Sequence, residues 1–70
     1  MLEKVTREII DGLQKIGTDE AINCAQKGIE ALEGWLDAPA DTQKRRDASI
    51  SITIFQKEAI IIIMKWRQEA

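Results

Sequence analysis

The chain carries few side chains able to make or break bonds. Cys24 is its one thiol and histidine is absent, so a nucleophilic thiolate would lack the base that normally activates it. One thiol among scattered carboxylates is not a zinc set either. The carboxylates could work as general acid and base only in a pocket that a 70-residue chain can hardly enclose. The expectation is therefore no enzyme, no cofactor and no metal, with Cys24 a small core residue. Lys44-Arg45-Arg46 puts three cations in one helical turn, a pattern that usually marks a solvated face rather than a phosphate or lipid site. Trp35 and Trp66 read as core or interface anchors rather than platforms for nucleic-acid bases.

With chemistry disfavoured, the question becomes what the chain can build and bind. A single domain spanning residues 1–70 is expected. Below about 70–80 residues a core is marginal, and disulfides, metals or partners usually supplement it. A lone cysteine cannot form an internal disulfide, so helix packing or a partner must supply the missing stability. It also suits a reducing compartment. An apolar content of 44% with 31% charged residues is globular rather than disordered. The opening MLEKVTREII is punctuated by charges and has no apolar stretch of signal-peptide type. The apolar run at 60–64 falls far short of the roughly 20 residues needed to span a bilayer. A cytoplasmic protein without a membrane span is expected.

The net charge of −2 is unevenly spread. The middle holds Asp19, Glu20, Glu30, Glu33, Asp37 and Asp41 against Lys27 alone. The last third holds Lys44, Arg45, Arg46, Lys57, Lys65 and Arg67 against Asp47, Glu58 and Glu69. The two segments would attract each other if the chain folds back.

Periodicity supplies the elements. Leu2, Val5, Ile9, Leu13 and Ile16 follow the spacing of one helix face, predicting a helix over 2–16. Gly17 suits a helix C-terminus and Thr18 a helix N-cap, with Asp19 and Glu20 in the next first turn. Ala21, Ile22, Ala25, Gly28, Ile29, Leu32, Trp35 and Leu36 predict a second helix over 18–36, lined by small residues in its first half. Gly28 and Gly34 each cost about 1 kcal/mol against alanine in a helix interior. Pro39 marks a corner, after which Asp37 or Asp41 is expected to cap a third helix over 42–69.

That third segment contains SITIFQKEAIIIIMKW. Alone, Ile50-Ser-Ile-Thr-Ile54 alternates like a strand. Over a longer window, Ala48, Ile52, Phe55, Ala59, Ile62 and Trp66 recur at four- and three-residue steps, within about 40° of one line on a helix. Ile50, Ile54, Ile61 and Met64 lie roughly opposite, about 160–240° away. The segment therefore reads as a helix with two apolar faces. One face is expected to pack on the second helix, with Leu32 near Ala48, Ile29 near Ile52, Ala25 near Phe55 and Glu33 near Arg45. The other needs a cover, which the short first helix could supply only in part. The fold class expected is all-α: an antiparallel helical hairpin with an additional N-terminal amphipathic helix.

A DNA-binding helix-turn-helix over 18–35 would need a turn at Gln26, and its recognition helix would carry Glu30, Glu33 and Asp37 toward phosphates. Nucleic acid is disfavoured as a partner, although a regulator of phage or plasmid type remains the second reading. A self-assembling helical structural protein is the third.

Residues 22–67 resemble the small cytosolic E-component co-chaperones of bacterial type III secretion needles, helical hairpins with a corner and an isoleucine-rich end. The features that match are Leu36-Asp-Ala-Pro39 at the corner and Glu58-Ala-Ile-Ile-Ile-Ile-Met-Lys-Trp-Arg67 near the end. Needle subunits share a similar hairpin and are close competitors. The resemblance implies a non-enzymatic co-chaperone that pairs with a helical-repeat chaperone and keeps a secretion subunit soluble. From the residues themselves, the expected interface is Ile50, Ile54, Ile61 and Met64, engaging a helical partner or a second copy.

Overall fold

The computed structural model describes residues 2–69, and those residues form three α-helices: α1 (Leu2–Ile16), α2 (Asp19–Asp37) and α3 (Gln43–Glu69). The all-α arrangement expected from periodicity is the one observed, with each boundary within one residue. Its long dimension is 42 Å, close to the roughly 40 Å of a 27-residue helix. α3 thus sets the length of the molecule.

Both junctions follow from local chemistry. α1 stops where Gly17 takes φ +77°, a left-handed conformation that costs glycine little. Thr18 then accepts a hydrogen bond from the Ala21 amide at 3.2 Å, capping α2. At the second corner the cap is Thr42, not Asp37 or Asp41. Its Oγ1 accepts from the Arg45 amide at 3.2 Å and donates to the Pro39 carbonyl at 2.7 Å. Asp41 instead holds the left-handed residue of the turn, φ +66°, a conformation aspartate tolerates better than most side chains.

The strand-like alternation in the sequence is absorbed by the helix. Ser51 and Thr53 donate their hydroxyls to the carbonyls of Asp47 and Ser49, four residues back. Their polarity is satisfied without leaving helical geometry.

The core gathers Ile10 and Leu13 from α1, Ala21, Cys24, Ala25 and Leu32 from α2, and Ile52, Phe55 and Ala59 from α3. The small residues of α2 let α3 come close: a Cβ added at Gly28 would meet Phe55 Cζ at 2.4 Å. The ring tip therefore lies on Gly28, one helical turn beyond Ala25, which shares the core cluster with Phe55 as expected. α1 packs on α2 and, less extensively, on α3. It seats Thr6, completely buried, whose hydroxyl donates to Leu2 O at 2.7 Å and accepts from the Gln56 amide at 3.1 Å.

Several side chains depart from their expected places. Val5, Ile22, Leu36 and Trp66 are about half exposed rather than buried on their helix faces, while Ile10 and Thr6 take core positions on α1. The reason is geometric. The core-facing arc of α1 centres on Leu13, leaving Val5 at its rim, while Ile22, Leu36 and Trp66 sit near element ends. The expected Glu33–Arg45 pair is also replaced. The Arg45 guanidinium lies 3.6 Å from the centroid of the Trp35 ring and donates to Ala38 O at 3.1 Å. Stacking plus a backbone carbonyl satisfies it without a carboxylate.

Candidate functional site

The first helix does not cover the outer face of α3. Because α1 and α2 both lie on the side bearing Ile52, Phe55 and Ala59, the opposite side faces solvent. Ile50 is 58% exposed, Ile54 53%, Ile61 66% and Met64 57%. Ile60, which the two-face reading of the sequence passed over, joins them at 49%. The run of four isoleucines resolves accordingly: Ile62 and Ile63 turn partly inward against the core, and Ile60 and Ile61 turn outward. A signal for Ile60 was available, since four consecutive positions must reach every side of a helix.

Scattered apolar residues on a surface need no explanation, but a contiguous row of large ones does. Here five fall on one arc of one helix. The row is interrupted by Lys57, exposed midway along it. Its cationic head can reach water while its methylene stem extends the apolar surface.

The remaining sequence candidates lead elsewhere. Cys24 is buried in the α2 face, where burial, helped by Glu58 and opposed by Lys27, pushes its thiol above the ordinary value. A thiol so placed is held in its protonated, unreactive form. α2 runs unbroken through Gln26, so the turn that a helix-turn-helix over 18–35 requires is not there. Lys44 and Arg46 are exposed, whereas Arg45 turns back onto Trp35. Among the described residues, no three cysteine, histidine or carboxylate side chains gather as a metal set. None of the described helices is long and apolar enough to cross a membrane.

The surface grooves are open, and one of about 580 Å³ lies between the start of α1 and Trp35 of α2. A smaller one, also between α1 and α2, holds about 320 Å³ and is lined by Arg7, Ile10, Asp11, Gln14, Ile29, Leu32, Glu33 and Leu36. Another, about 370 Å³, lies where α2 meets α3 beside Cys24, Glu58, Ile61 and Ile62. The groove beside Cys24 adjoins the exposed row at Ile61.

Fold and surface together define a small three-helix protein with one helix apolar on two sides. No protein-family model, curated protein or solved structure gives a significant match to the chain.

Proposed function

We propose that this chain is a small non-enzymatic protein–protein interaction module whose contact surface is the outer face of α3. The observation that carries the reading is the exposed row of Ile50, Ile54, Ile61 and Met64, extended by Ile60. Burying each such side chain fully is worth about 1.5–3 kcal/mol. A helix surface of this kind gains free energy by laying against another helix.

Within that class, the role we propose is that of a cytoplasmic co-chaperone. The support is the likeness of the α2–α3 hairpin to the E-component proteins of secretion needles, through Leu36-Asp-Ala-Pro39 and the isoleucine-rich end of α3. In that role the chain would hold a helical-repeat chaperone through α3 and help keep an aggregation-prone subunit soluble. Co-expression with a helical-repeat chaperone from the same source tests it. A soluble complex that co-elutes on size exclusion is expected, and separate elution of the two proteins would overturn the co-chaperone role.

A further inference from the structure

Resting on the reading of α3 as a contact surface, we infer that its occupant is an acidic amphipathic helix of a partner protein, which sets a carboxylate against Lys57. Ile50, Ile54, Lys57, Ile61 and Met64 follow one another at steps of four, three, four and three. That is the seam of a two-helix contact, in which every position but one is apolar. Lys57 stands at the exception, midway between Ile50 and Met64. The ion pairs of the described residues, Arg7–Glu3 and Lys15–Asp11, leave it without a carboxylate.

Lys57 separates the alternatives. A second copy docked symmetrically and centred on this seam would place Lys57 beside its own counterpart, and like charges brought together at a contact are repelled. An anionic membrane would take the basic residues but would press Lys57 into the middle of the inserted apolar strip, where interfacial helices keep their cations at the polar side. A partner helix with an apolar seam and one acidic residue at its centre satisfies both features. A single polar residue at such a position also fixes the register of the pair. The wider charge agrees, since Lys44, Arg46, Lys65 and Arg67 of α3 outnumber Asp47, Glu58 and Glu69 and are all exposed.

The test uses the whole chain and a labelled designed helix with a leucine seam, a central glutamate and glutamate flanks. A control peptide carries lysine at every glutamate position. Binding of the acidic peptide is expected to be at least about tenfold tighter than that of the control, because like charges at a contact suppress association. Lys57→Glu should invert the preference. No binding of the acidic peptide, or equal binding of both, overturns the inference. So does dimerisation of the chain in sedimentation equilibrium, or binding to phosphatidylserine vesicles without binding to peptide. Ile61→Glu distinguishes the two levels. If it abolishes whichever association is seen, the α3 contact surface stands and only the acidic occupant is lost. If it leaves every association unchanged while the variant melts like the parent chain, the contact surface itself is wrong.

Discussion

The Phe55 ring occupies the space that a side chain at Gly28 would need, with Cζ 2.4 Å from the position of a Cβ there. The glycine is thus the receiving surface for the one phenylalanine of the chain. At Gly34 an added Cβ would meet nothing within 4 Å.

The two glycines should therefore respond oppositely to alanine. Gly28→Ala forces the ring to move and is expected to destabilise by about 1–3 kcal/mol through overpacking. Gly34→Ala restores helix propensity in open space and should stabilise by about 0.4–1 kcal/mol. Urea denaturation of both variants checks the pair, and equal shifts would place Phe55 elsewhere. Phe55→Ala itself should cost about 3–5 kcal/mol, most or all of what so small a domain has.

Arg45 gives a second test. Losing its stacking on Trp35 and its bond to the Ala38 carbonyl should cost about 1–2 kcal/mol in Arg45→Ala. Lysine has no planar fork to stack and bond at once, so Arg45→Lys should recover only part of that. Glu33→Ala should leave the melting temperature unchanged. A loss at Glu33 matching that at Arg45 would restore the ion pair that the stacked geometry replaces.

Thr6 and Gln56 form a polar contact between helices fifty residues apart in sequence. Thr6→Val keeps the shape and removes the hydroxyl, leaving the Gln56 amide without its acceptor. A loss of about 1 kcal/mol is expected. Because Gln56 is only partly buried, water limits the cost. Thermal melts of Thr6→Val, alone and combined with Gln56→Ala, should show less than additive losses.

Cys24 adds a pH dependence. Burial raises its thiol above the ordinary value of 9.0 in the folded state. Between the unfolded and folded values the folded chain holds more protons, so stability falls as pH rises. The contribution is complete below about 9 and declines above it. Melting curves from pH 7 to 10 should show a steeper alkaline decline in the parent chain than in Cys24→Ala. Parallel declines would mean that the thiol does not ionise on unfolding.

The helices were legible because their limits are written in single residues with one physical meaning each. Gly17 and Thr18 permit a stop and a restart, and Pro39 cannot continue a helix. The choice of Thr42 over two aspartates as cap was not legible, since all three can accept a backbone amide. The corner decides it by putting Asp41 in the left-handed region. Periodicity marked the two faces of α3, including all four exposed residues named from sequence. It could not set how far one helix slides along another, so the close seating of the Phe55 ring on Gly28 was not foreseen. Nor could it show that α1 joins α2 on the same side of α3, a matter of packing three helices at once. The pairing of a glycine in a small-residue row with the only phenylalanine was the available clue.

The outer face of α3 is proposed to serve association and not folding. The most direct test is to measure stability and complex formation on one Ile54→Glu/Ile61→Glu chain, co-expressed with the helical-repeat chaperone. Both side chains are more than half exposed, so the melting temperature should stay close to that of the parent, as surface changes usually move stability by about 0.5 kcal/mol or less. The complex should be lost from size exclusion. A variant that unfolds would place these residues in the core, and a folded variant that still co-elutes would contradict the claim outright.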